Sequence, residues 1–158
     1  MIDIAPDAVV EEAGFTEYDV DLGTSGLCGT FALALKSAFP HLGLALLCLS
    51  DFDGSPLRNS RGELHWRHVV ATDGDQLFDI DGRVRLDDLI QNYCWDNPKR
   101  GGGCLVAVNQ RKLIAILHSD MKSFDRRYLE KWSAMLIEGE RRLKNTPMQQ
   151  YADAPSPV

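Results

Sequence analysis

Positive charge is the scarce kind in this chain. Seventeen Lys and Arg stand against 23 Asp and Glu, leaving a net charge of −6 over 158 residues. A protein that grips phosphate backbones usually carries the opposite balance, so nucleic acid is not an expected partner. Long apolar runs are also missing. The longest, Leu42 to Leu49, falls far short of the roughly 20 residues a membrane-crossing helix needs. No membrane partner is expected. The opening segment, MIDIAPDAVVEE, lacks the basic and apolar regions of a secretion signal, which points to the cytoplasm.

Metal and cofactor signatures are missing too. None of Cys28, Cys48, Cys94 and Cys104 forms a CxxC pair, and no Cys/His spacing suits zinc. Gly101 to Gly103 lacks the strand-to-helix context and the Lys-Ser/Thr of a phosphate loop. Asp51, Asp53 and Gly54 lack the later Glu of a calcium loop. No cofactor and no metal are expected. In a reducing compartment the four thiols stay free, each a small hydrophobe or a nucleophile.

What remains is ordinary for a globular protein: 44% hydrophobic and 25% charged residues. The length suits one domain, taken as 1–144, with 145–158 read as a disordered tail because it holds three prolines and no apolar pattern. A short helix over Pro6–Ala13 fits Pro in a first turn. Thr24, Ser25 and Gly26 are start signals for a helix from Cys28 to Phe39, with Phe31, Leu35 and Phe39 at helical spacing and Pro40 ending it. LGLALLCLSD reads as a buried strand. LHWRHVVAT and QLFDID read as a hairpin around Asp73-Gly74, and RLDDLIQNYCW as a short helix. CLVAVN and KLIAILH read as two strands around Gln110. A long helix is expected from Met121 to Lys144, its stripe of Phe124, Tyr128, Trp132, Met135 and Leu143 packed on the core. The sum is an α+β domain with helices segregated from a mostly antiparallel sheet.

Cys28 is the residue with chemical promise. It lies between Gly26 and Gly29 at a helix start, where backbone N–H groups and the positive end of the macrodipole favour a thiolate. The bland alternative is a buried structural cysteine near a turn. A nucleophilic thiol needs a base. Of His41, His65, His68 and His118, His68 sits within a strand and opens the apolar run HVVA. The hairpin partner QLFDIDG brings Asp79 and Asp81 across from it. Acidic residues are depleted in strands, so these need a reason. Asp81 precedes Gly82 and reads as a turn residue. Asp79, between Phe78 and Ile80, is the better orienter of an imidazole.

GLCGTFALAL followed by HVVATDGDQLFDIDG resembles the papain-like-fold cysteine hydrolases in the broad sense, which include transglutaminase-like proteins. The nearer likeness is to small bacterial and phage proteins with a GxCxxxAxAL helix, an HV strand and an aromatic-Asp-x-x-Gly strand. Here the matching pieces are Gly26, Cys28, Ala32, Ala34 and Leu35, then His68 and Val69, then Phe78, Asp79 and Gly82. The likeness covers about residues 20–90. It implies a papain-like core with Cys28 as nucleophile, His68 as base and Asp79 as orienter. The implied activity is that of a thiol protease, deamidase or transglutaminase acting on a protein or peptide substrate through a thioester. One element departs from the pattern. Papain uses a Gln shortly before its Cys to stabilise the oxyanion, and DVDLGTSGL holds no Gln or Asn. The backbone N–H of Cys28, with Thr24 or Ser25, is the substitute donor set. That departure also keeps a second expectation open, a catalytically inactive binding module on the same fold.

Overall fold

The computed structural model describes residues 4–99, 101–119 and 123–145. It is a mixed α+β arrangement. Three helices come first: α1 (Pro6–Ala13), α2 (Glu17–Thr24) and α3 (Cys28–Ala38). Strands β1 (Gly43–Leu49), β2 (Trp66–Thr72), β3 (Leu77–Asp79) and β4 (Gly82–Val84) follow, then α4 (Leu86–Tyr93), β5 (Gly103–Val108), α5 (Gln110–Ser119) and α6 (Arg126–Asn145). The sheet order is β4-β3-β2-β1-β5, with every neighbour antiparallel. No helix among the described residues is long and apolar enough to cross a membrane.

Alternation along β1 divides the core. Leu44, Leu46 and Cys48 join Val69, Ala71 and Phe78 under α1, α3, α5 and α6. Ala45, Leu47 and Leu49 join Val70 and Leu89 on the face that α4 covers. Both faces of the sheet are therefore packed, and β1 is buried along its length after Gly43. The helix carrying Cys28 is central: residues Cys28 to Leu35 are all buried.

The segment KLIAILH is a helix, α5, and not the expected strand. Leu113, Ile114, Ile116 and Leu117 satisfy a helical stripe as well as a short apolar run, and Leu113 and Leu117 are fully buried on one side. Asn109 decides the matter. Its side-chain oxygen accepts from the Lys112 N–H at 2.7 Å and its carbonyl from the Leu113 N–H at 3.0 Å, which starts a helix where a hairpin turn was expected. His118 accordingly lies on a helix.

Three other boundaries differ from expectation. QLFDID splits into β3 and a tight turn, and β4 follows as an extra strand. α2 forms where no period was visible, because Thr16 and Asp19 close a reciprocal capping box. α6 starts at Arg126, because Asp125 Oδ1 accepts from the Arg127 and Tyr128 N–H groups at 2.9 and 3.2 Å. Met121 and residues 146–158 of the expected tail lie outside the described residues, and Asn145 still belongs to α6.

The expected stripe on α6 does pack inward. Trp132 is fully buried, with Phe124, Tyr128, Met135 and Leu143 packed against the core beside it. Asp19, also fully buried, accepts from Trp132 Nε1 at 3.2 Å and from Lys131 Nζ at 3.1 Å. Burial pushes the Asp19 carboxyl up, but these donors and Thr16 outweigh it and hold it below its ordinary value.

Gly29 has a packing reason rather than an open surrounding. A Cβ there would come within 2.5 Å of Leu117 Cδ2, and Leu117 is fully buried with little room to turn. Gly29→Ala is expected to lower unfolding free energy by about 1–3 kcal/mol, as overpacking does. Leu117→Ala in the same chain should recover part of that loss. Additive losses in urea titrations of the two single variants and the double would show that the contact is not the cause.

Candidate active site

Asp79 owes its position to a tight hairpin. Asp79 and Gly82 pair across a two-residue loop, and Gly82 takes φ 96°, a left-handed value that a side chain would strain. The Asp81 N–H donates to Asp79 Oδ1 at 2.8 Å, so one carboxylate oxygen caps the turn. The other, Oδ2, lies 2.9 Å from His68 Nε2. Asp79 is 4% exposed and His68 is fully buried. The two side chains meet as expected, just beyond the paired part of the hairpin. Asp81 is an exposed turn residue.

β3 pairs with β2 at Ala71–Phe78 and Thr72–Leu77. His68 lies beyond that short ladder, opposite Leu47 on β1. Its second ring nitrogen, Nδ1, is buried and makes no hydrogen bond among the described residues. The Cys28 thiol nevertheless acts on this ring. Burial pushes the imidazole down, but the Asp79 hydrogen bond, the Cys28 side chain and their charges outweigh it and push His68 up to about 9.

Cys28 opens α3 and is 3% exposed. The residue before the helix, Leu27, supplies no side-chain cap. The first N–H groups of a helix have no partner within it, so those around Cys28 are available to a developing oxyanion. Thr24 and Ser25 are not placed to do the same. Thr24 Oγ1 donates to the Val20 carbonyl at 2.9 Å and Ser25 Oγ to the Asp21 carbonyl at 2.5 Å, both within the last turn of α2. Of the expected donor set, both hydroxyls already donate to carbonyls of α2.

Burial pushes Cys48 up to about 12 and also raises Cys94 and Cys104. His65 is exposed just before β2, and His41 is exposed in the loop after α3.

One neighbour was not visible in the sequence. Tyr93, at the end of α4, stacks on the His68 imidazole with ring centroids 4.1 Å apart and planes 9° from parallel. Its hydroxyl donates to the Thr24 carbonyl at 3.0 Å. Nothing in the spacing of RLDDLIQNYCW marks this tyrosine, because the contact joins elements distant in sequence.

A cleft of about 470 Å³ opens beside the site. Ser25 and Gly26, just before Cys28, line one part, and His65, Trp66 and Arg67, just before His68, line another, with Asn59, Leu64 and Ser123. Comparison of the chain with protein-family models, with curated proteins and with solved structures gave no match.

Proposed function

We propose that this chain is a cysteine-dependent hydrolase or acyltransferase of papain-like type, with Cys28 as nucleophile, His68 as acid–base and Asp79 as orienter. One observation carries the reading. The buried His68 spends Nε2 on Asp79 at 2.9 Å and makes no hydrogen bond at Nδ1 among the described residues, on a ring that Cys28 influences. An imidazole held by a carboxylate on one nitrogen and open on the other is built for proton transfer.

The chemistry starts from a thiolate beside the His68 imidazolium. Sulfur attacks the carbonyl carbon of a peptide or side-chain carboxamide presented from the cleft. The oxyanion meets the backbone N–H groups opening α3. As the tetrahedral adduct collapses, the C–N bond breaks and Nδ1–H protonates the leaving amine, giving a thioester and a neutral ring. The ring then takes a proton from water or an acceptor amine, which attacks the thioester and frees the sulfur with its electron pair. Water makes the protein a peptidase or deamidase, and an amine makes it a transglutaminase.

The test is selective alkylation. Iodoacetamide near pH 7 should label Cys28 before Cys48, Cys94 and Cys104, read by peptide mass spectrometry, because those three thiols are raised by burial. Equal labelling of all four, or protection of Cys28 in folded protein, would overturn the enzyme reading. It would favour the inactive binding module, which the commitment of the Thr24 and Ser25 hydroxyls to α2 also suits.

A further inference from the structure

We propose that Tyr93 is a positioning residue that fixes the plane of the His68 imidazole and ties it to the turn delivering Cys28. Two independent contacts carry this, and both leave from one side chain. The phenol ring lies flat on the imidazole, 4.1 Å between centroids and 9° from parallel. The hydroxyl donates at 3.0 Å to the carbonyl of Thr24, which ends α2 four residues before Cys28.

Three separate elements supply the reacting groups and their support. His68 is on β2, Cys28 on α3 and Tyr93 on α4. Cys28 and His68 act on each other from different elements, so their approach depends on what holds each element. A stacked ring limits rotation about the last bond of the His68 side chain, the one motion that its hydrogen bond to Asp79 leaves soft. It also covers one face of the imidazole against water. The hydroxyl contact matters for distance. Thr24 and Ser25 are at the junction of α2 and α3, and the Thr24 carbonyl is at the C-terminal end of α2, where carbonyls lack helical partners. Tyr93 satisfies this one and pins the junction to the ring that it stacks on. Burial keeps the phenol protonated above its ordinary range, so it stays a donor.

The groups that act on His68 come from every side: Asp79 from β3, Asp81 from the following turn, Cys28 from α3 and Tyr93 from α4. Tyr93, its phenol held protonated by burial, brings no charge to the ring at neutral pH. Its part is therefore geometric and dielectric, and this is what the experiment must read. The proposal deepens the catalytic assignment and rests on it.

Wild type, Tyr93→Phe and Tyr93→Leu are compared at matched folded fraction by two measurements. One is the iodoacetamide rate at Cys28. The other is the hydrogen-bonded Nε2–H resonance of His68 in ¹⁵N-labelled protein. Tyr93→Phe keeps the stack and loses the tether: the resonance should persist while alkylation slows about threefold, the scale of one neutral hydrogen bond. Tyr93→Leu loses both: the resonance should vanish into solvent exchange and alkylation should slow at least about tenfold. A wild-type rate in Tyr93→Phe overturns the tether. A wild-type resonance and rate in folded Tyr93→Leu overturn the clamp. If wild-type Cys28 is no faster than the other thiols, the catalytic assignment fails, while the resonance comparison still decides whether Tyr93 holds the ring.

Discussion

Asp79→Ala is expected to slow alkylation of Cys28, and any thiol-dependent turnover, by at least about tenfold, whereas Asp81→Ala should mainly loosen the β3–β4 turn. Alanine removes the Asp79 partner of His68 Nε2 and, among the described residues, leaves a fully buried ring with neither nitrogen hydrogen-bonded. Asp79→Asn separates charge from shape. An amide can still accept from Nε2–H, but it no longer stabilises an imidazolium. In wild type His68 is raised from 6.5 to about 9. A raised group holds its proton in the folded state after the unfolded chain has released it. Its stabilising contribution is therefore complete below pH 6.5 and is lost as pH rises through about 9. Melting temperature should fall over that window in wild type and fall less in Asp79→Asn. The alkaline limb of any thiol-dependent turnover, which needs the His68 proton for the leaving amine, should lie near pH 9 in wild type and move to lower pH in the variant. Identical limbs in both proteins would show that Asp79 does not set the charge of His68.

Trp132→Ala should cost about 3–5 kcal/mol, enough to unfold a large share of a domain of ordinary stability. Trp132 is fully buried where four aromatic side chains meet. Its ring centroid is 5.5 Å from Phe31, 5.0 Å from Tyr128 and 6.5 Å from Phe15. The deletion also withdraws the indole N–H from Asp19, a buried carboxylate that must then rely on Thr16 and Lys131. Trp132→Phe keeps most of the volume and loses that donor, so it should cost about 1–3 kcal/mol. Urea unfolding monitored by circular dichroism separates the two. Equal costs for both variants would place the whole effect in the Asp19 hydrogen bond rather than in packing.

Much of the site could be read in the sequence because its parts sit on strongly patterned elements. Phe31 and Leu35 mark α3 at helical spacing, and the start signals before it place Cys28 in the first turn. Alternation and the Asp-Gly turns placed His68 and Asp79 on adjacent strands, and position within the hairpin separated Asp79 from Asp81. What escaped was decided by single polar groups or by distant contacts. α5 depends on the Asn109 cap, since Leu113 to Leu117 suits either a strand or a helix. α2 depends on the reciprocal bonds of Thr16 and Asp19. The packing reason for Gly29 is Leu117, some 88 positions away and invisible to local pattern. Tyr93 is the same kind of miss, a partner brought in by the packing of α4 on the far face of the sheet.

The burial of α3 has a consequence for local opening. Segments with few buried contacts fray at little cost, whereas a helix enclosed on all sides is released only when the whole structure opens. Amide protons from Phe31 to Leu35 should therefore exchange with solvent at the slow rate of global unfolding. The thiol at the head of such a helix does not gain access by fraying, and reagents must reach it through the folded surface.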